Sequence, residues 1–439
     1  MPKMRRSRMD RGLVFALALM LVLSASPVSL GVAEQTSSPE MPSGLKTGDP
    51  LKHGVTETEL DTLRAILKRA VETGEVPAVS LLLAHKGEII FKEAYGYADI
   101  AAKRPFTADD TVWLASSSKP VSATCVMILA ERGKLSLDAP LDQYLPEFKG
   151  IKVRGQSQPA KQPTTRQLLS HTSGIIPASA WAVFAKPAGP PDEPSLPSPS
   201  ADYDRDVLAR AMTHTLAEAV ALTAEYDLVA EPGTVFGYSG VGFSVAGRVA
   251  EVVDGKPFDE IMKTELLDPL GMSHTTFKPS AETVATIPTK YAKTASGLQP
   301  APPMPVTESS RLIIPSGGLV STLDDMAAFL HMHLNRGTYA GKRILSEQSV
   351  AEMQKDETRG LKGIPQGTSY GLGWFIDRRS DNGQALTISH GGLFGTMAWI
   401  DLDRDVIGVL FTQVQPPTPA ARQATREIRD KVRTIFPSN

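Results

Sequence analysis

Leu60, Leu63, Ile66, Leu67 and Val71 recur at the spacing of one helical face and predict a helix over 57–73. Two apolar runs then flank Lys86-Gly87 and predict a β-hairpin over 79–97. Helical spacing returns at 116–132, 241–253, 257–267, 323–334 and 346–354. Three β-rich runs follow at 370–376, 386–390 and 397–411, and a helix over 420–435 ends the pattern. Strands therefore lie towards the two ends of the chain, with helices between them. The economical arrangement is an α+β fold, with a sheet built from both ends and a mainly helical insertion. Short turns between the late runs favour antiparallel pairing. The expected division is an α/β part at about 57–130 and 300–435, with the insertion at about 131–299.

Three stretches fall outside this periodicity. The first is N-terminal: Lys3, Arg5, Arg6, Arg8 and Arg11 precede an apolar run over 12–25, with small residues at Gly31-Val32-Ala33. That run is shorter than the ~20 residues of a spanning helix. Residues 1–33 read as a Sec-type signal peptide, which implies export to the periplasm or medium and no membrane span after cleavage. Residues 34–56 are polar with scattered Pro and Gly and read as a linker. The segment 186–200 is proline-rich and reads as a long surface loop or lid.

Composition narrows the function. Of 439 residues, 46 are basic and 48 acidic, a net charge of −2. Without a basic run, a nucleic-acid partner is not expected. The single cysteine, Cys125, permits no internal disulfide and lies in an apolar run, as a buried structural residue would. His331 and His333 are two apart on a predicted helix and diverge, so no shared metal is expected.

The chemistry centres on WLASSSKP (113–120), where Ser116 precedes Lys119 by three residues. S-x-x-K alone is weak: about two chance matches are expected in a chain of this length. Ser43-Gly44-Leu45-Lys46 is one of them, with no helix behind it. Ser116 differs because an extended apolar segment precedes it and a helix follows. At a helix start, i and i+3 share a face, so Lys119 can approach the Ser116 oxygen. Serine needs a nearby base to become a nucleophile. Lysine serves only if burial and the helix dipole lower its pKa. Two further elements suit such a site. The turn-rich stretch 231–240 presents Tyr238, able to relay a proton if cations lower its pKa. The β run 388–393 ends in Gly391-Gly392, where a backbone can approach a ligand.

In this order, these elements resemble the serine β-lactamase-like hydrolases: class C β-lactamases, D,D-carboxypeptidases, D-aminopeptidases and family VIII carboxylesterases. The phrases TRQLLSHTSG (165–174), LDPLGM (267–272) and GGLVST (317–322) support the resemblance, which spans about 57–435. It implies Ser116 as acylated nucleophile, Lys119 as its base and Tyr238 as the tyrosine of a Tyr-x-Asn element. It further implies His390-Gly391-Gly392 as the counterpart of a Lys-Thr-Gly strand, with the Leu393 N–H as second oxyanion donor. His171 and Ser173 match a recurrent phrase read as structural. The implied partner is a small ester, amide or peptide, and no metal or cofactor is needed. Two departures argue against strong β-lactamase activity: Gly240 stands where relatives carry Asn, and His390 where β-lactamases carry Lys. An exported esterase or D-peptide hydrolase is the leading expectation. The rivals are a D,D-carboxypeptidase, a weak β-lactamase and a non-catalytic penicillin-binding sensor or scaffold.

Overall fold

The computed structural model describes residues 44–184 and 205–438. The expected leader over 1–33, residues 34–43 with Ser43, and the proline-rich segment 186–200 lie outside the described residues.

Nine strands form one sheet. They are β1 (Lys46–Thr47), β2 (Ala78–His85), β3 (Glu88–Asp99), β4 (Arg104–Pro105), β5 (Ser369–Tyr370), β6 (Phe375–Arg379), β7 (Ala385–Gly391), β8 (Met397–Asp401) and β9 (Val406–Phe411). Their order is β1-β3-β2-β9-β8-β7-β6-β5, with β4 paired to β3. The two ends of the chain meet where β2 pairs antiparallel with β9, Ala84 opposite Ile407. All pairings are antiparallel except β1 with β3. The run 397–411 is a hairpin, not one strand, because the turn at 402–405 places Asp405 at φ 53°.

Alternation along the strands divides two cores. Val79, Leu81 and Leu83 of β2 and Val406 and Leu410 of β9 face one side. There they meet α1 (Glu57–Glu72) and the C-terminal helix, through Leu63 and Leu67 of the first and Ile428 and Val432 of the second. Leu82, Ala84, Ile407 and Val409 face the other side, into the larger core. That period of two is what a sheet covered on both faces requires. The larger core continues without a break through Leu168, Val241 and Phe258. The inserted segment thus shares its core with the sheet.

Residues 44–56, expected as linker, are part of the fold. Leu45 is buried, β1 adds to the edge of β3, and His53 bonds Glu88 from a short 3-10 turn. Edge pairing uses backbone groups, so hydropathy carries no trace of it.

The helices that carry the site are α2 (Ser118–Glu131), α3 (Thr165–Leu169), α4 (Gly240–Asp254) and α5 (Leu323–Leu334), with α6 (Pro419–Ile435) at the C-terminus. Every residue of α2 from Ser118 to Leu129 is buried, so it runs through the core with no solvent face. Among the described residues, no helix is long and apolar enough to cross a membrane.

Candidate active site

Ser116 sits in a 3-10 turn, Ala115–Ser117, that leads directly into α2. The turn is set by a short pairing of Val112–Trp113 with Val320–Ser321, and by Leu114 N–H donating to Leu319 O at 2.9 Å. Ala115 has φ 48°, a left-handed conformation that non-glycine residues adopt rarely. Strain of this kind persists only where the surroundings hold it.

The three serines of SSSK have different partners. Ser116 Oγ accepts from Lys119 Nζ at 3.1 Å. Ser117 Oγ lies 3.1 Å from the His390 carbonyl and 3.0 Å from Thr396 Oγ1. Ser118 Oγ accepts from the Leu319 N–H at 3.2 Å. The second and third serines tie the turn to its surroundings, and only Ser116 opens into the cleft.

Lys119 is 2% exposed. Besides Ser116 it donates to the Ser316 carbonyl at 2.9 Å, and its ammonium lies 4.6 Å from the Tyr238 ring centre. Burial pushes its pKa from 10.5 down to about 7. At neutral pH a substantial fraction is therefore free amine, within hydrogen-bond reach of a serine hydroxyl.

Tyr238 also bonds Ser116, but burial raises its pKa, and the serine bond only partly offsets this. The expected lowering by cations does not prevail, because Lys119 faces the ring and is itself half deprotonated near pH 7. Tyr238 is thus a protonated phenol that can pass a proton, while Lys119 is the group poised to take one.

The strand carrying His390 closes the site. A Cβ on Gly392 would lie 2.2 Å from the Leu114 carbonyl and 2.2 Å from Thr396 Oγ1, so only glycine lets β7 reach the nucleophile turn. Thr396 Oγ1 donates to Leu114 O at 2.7 Å and fixes that approach. The Leu393 N–H donates to no acceptor among the described residues, and Leu393 lines the cleft beside Ser116. Donors left free at a nucleophile are what a developing oxyanion needs.

His390 borders the outer side of the cleft with its ring largely enclosed. Its ring is buried, Nδ1 donates to Gly391 O at 2.8 Å, and Nε2 accepts from the Tyr370 hydroxyl at 3.0 Å. Burial, and then Lys119, push its pKa down to about 3. Both nitrogens are occupied and the ring is neutral, so it presents no cation to a substrate carboxylate.

Gly240 has an equally physical reason. A Cβ there would lie 3.0 Å from Ala180 N and 3.1 Å from both Ala178 O and Ser316 Oγ. The segment 178–180 therefore occupies the space a side chain at 240 would need.

Ser116 stands at the junction of two lobes. The inner one is lined by Pro177, Ala178, Ala180, Trp181, Met304 and Phe394. The outer one is more open and lined by Phe236, Pro365, Phe375, Asp377, His390 and Arg429. Asp377 and Arg429 pair with each other. The inner wall, the Ser316 carbonyl, Tyr370 and Thr396 were not legible as site residues. Backbone carbonyls leave no sequence signal, and Tyr370 read as an ordinary strand tyrosine.

Other candidates lie elsewhere. Cys125 is buried in α2, and burial raises its thiol pKa. His333 packs on Trp374 with Nε2 2.9 Å from Thr124 Oγ1, while His331 sits against Tyr339. Among the described residues, no group of three or more His, Cys, Asp or Glu is placed to hold a metal.

A two-core α+β fold in which a cleft serine meets a buried lysine, beside a tyrosine and a glycine strand end, defines the class of serine hydrolases with a β-lactamase and penicillin-binding-protein fold. The Beta-lactamase family model matches residues 63–433, and the chain belongs to that family. It is 27% identical over 363 residues to esterase EstB of Burkholderia gladioli, covering 77% of this chain and 83% of that protein. Among solved structures it is similar to EstCE1, a hydrolase with promiscuous acyltransferase activity (TM-score 0.69, 24% identity, 86% of this chain and 98% of that one). It is also similar to the octameric penicillin-binding protein homologue of Pyrococcus abyssi (TM-score 0.65, 24% identity, 86% and 79%). These structural likenesses establish the fold, and the family makes the protein a serine hydrolase.

Proposed function

We propose that the protein is an exported esterase that cleaves esters of uncharged, apolar carboxylic acids through an acyl-enzyme on Ser116. The observation that carries this reading is the Lys119 amine, held at a pKa of about 7 and 3.1 Å from Ser116 Oγ. In acylation, Oγ bonds to the substrate carbonyl carbon as its proton passes to Lys119. The oxyanion accepts from the Ser116 and Leu393 N–H groups. The C–O bond to the alcohol then breaks, and the alcohol takes its proton from Lys119 by way of Tyr238. Water repeats the sequence on the acyl-serine and releases the acid.

The inner lobe supports an apolar acyl group, being walled by Trp181, Met304, Phe394 and alanines. Neutral, enclosed His390 and the space taken at Gly240 both disfavour a β-lactam. The resemblance to an esterase in sequence agrees with this reading. Export rests on the basic and then apolar pattern of residues 1–33. A second reading, D-peptide cleavage, draws on Arg429 in the outer lobe, whose guanidinium would have to turn from Asp377 to meet a leaving group's carboxylate.

Mass spectrometry of enzyme quenched after a mixed panel of p-nitrophenyl esters, nitrocefin and D-Ala-D-Ala peptide tests the proposal. The expected result is an ester-derived acyl group on the Ser116 peptide, and none in Ser116→Ala. Undiminished ester turnover by Ser116→Ala would falsify it. An acyl group drawn only from the peptide would replace it with the second reading.

A further inference from the structure

Two of the left-handed non-glycine residues flank the site. One is Ala115; the other is His171, at φ 59°. His171 follows α3 and lies outside both lobes of the cleft. Its conformation has a consequence for Tyr238. The His171 carbonyl accepts from Gly237 N–H at 2.8 Å, and its Nδ1 accepts from Ser239 N–H at 3.0 Å. The N–H groups of the residues before and after Tyr238 are therefore both held by one residue.

The clamp extends along the chain. Thr172 O accepts from Gly233 N–H at 2.7 Å, Ile176 O from Ser239 Oγ at 2.6 Å, and Ala178 O from Gly240 N–H at 2.8 Å. The segment 171–178 thus binds the loop that delivers the tyrosine. His171 contributes a ring contact as well, with centroids 4.4 Å from Tyr238 and 4.8 Å from Tyr370.

The hydrogen bond settles the tautomer. Nδ1 accepts from a backbone N–H, so the proton is on Nε2. Nε2 has no hydrogen-bond partner among the described residues and lies amid the rings of Tyr238, Tyr370, Phe236 and Phe243. A second proton on Nδ1 would orphan the Ser239 N–H. Burial, then the charge of Lys119, then His390 oppose that protonation.

Building on the Ser116–Lys119–Tyr238 reading, we infer that His171 is a positioning residue. In its Nε2–H tautomer it clamps the N–H groups of Gly237 and Ser239, on either side of Tyr238, and holds the phenol against Ser116. With its backbone left-handed, the His171 carbonyl and ring serve donors two residues apart. Asparagine tolerates that conformation and offers an amide oxygen near the place of Nδ1. Phenylalanine keeps the ring and removes the acceptor.

The test is a double-mutant cycle on ester turnover. His171→Phe should lower kcat by about 10- to 100-fold, the scale of a misplaced proton carrier, with KM changed by less than about threefold. In a Tyr238→Phe background the same substitution should cost less than about threefold, because there is no hydroxyl left to position. His171→Asn should recover most of the loss. A loss of equal size in both backgrounds, or unchanged kcat in folded His171→Phe, overturns the inference. Nitrogen-15 NMR of the wild-type histidines gives a measurement free of folding effects. It should show His171 as the Nε2–H tautomer from pH 5 to 8, and an Nδ1–H tautomer or a titration in that range is incompatible with the clamp. Ser116→Ala, assayed in parallel, separates failure here from failure of the underlying reading.

Discussion

Replacing Lys119 by methionine keeps an unbranched apolar stem in the core and removes the amine. The pKa is lowered from 10.5 to about 7 by burial alone. At ~1.4 kcal/mol per unit, the ammonium is disfavoured in the folded state by about 5 kcal/mol once the pH is well below 7. The sign follows from linkage. Between the folded and unfolded pKa values the unfolded chain binds more protons, so wild-type stability rises with pH through that window. The penalty is complete below pH 7 and gone above about 10.5. From pH 6 to pH 9 this group alone should raise wild-type stability by about 2 to 3 kcal/mol. Lys119→Met lacks that rise. It also leaves the Ser316 carbonyl without its donor, a cost of roughly 1–3 kcal/mol at every pH. Urea denaturation of both proteins at pH 6, 7, 8 and 9 reads the difference, which should favour the variant most at pH 6 and shrink towards pH 9. Stability curves running parallel from pH 6 to 9 would refute the claim that a buried, easily deprotonated amine sits beside Ser116. Activity should rise with pH as well: wild-type kcat/KM should climb with a single-proton slope through about pH 7, and Lys119→Met should lose at least about 100-fold.

Three further substitutions probe the geometry. Ser118→Ala strands the Leu319 N–H and should lower stability by roughly 1–3 kcal/mol on denaturant melts, with fluorophosphonate labelling of folded enzyme retained. Gly392→Ala places a methyl 2.2 Å from Leu114 O and should push β7 off the nucleophile turn; ester turnover should collapse, and wild-type turnover would show the approach to be looser than described. Gly240→Asn should destabilise by roughly 1–3 kcal/mol through overpacking against 178–180, and nitrocefin hydrolysis should not appear; a gain of that activity would mean that 178–180 yields readily.

The elements were largely legible because their signals are local. The hairpin of β2 and β3 alternates across two cores, and α1 carries its apolar face at helical spacing with a Thr56–Glu59 capping box at its start. Residues 44–56 were misread because their attachment is through an edge strand and the buried Leu45. Spacing and order single out Ser116, Lys119, Tyr238 and the glycine strand as candidates, and the structure gathers them around one cleft. The hydrogen bonds of the His390 ring to Gly391 O and Tyr370 left no mark in the sequence, because both depend on how the strands pack. His171 carried no local mark of its link to Tyr238, which lies 67 residues along the chain.

By itself, the sequence determined the Ser116–Lys119 pair, because three residues at the start of a helix bring two side chains to one face whatever surrounds them. It also indicated a mostly apolar helix behind the pair, which carries Lys119 into the core. Only the tertiary structure decided what that pair can do. The pKa of Lys119, the protonated state of Tyr238, the neutral ring of His390 and the apolar inner lobe depend on which distant segments exclude water from the site. Desolvation is a property of the whole enclosure, and no local spacing encodes it.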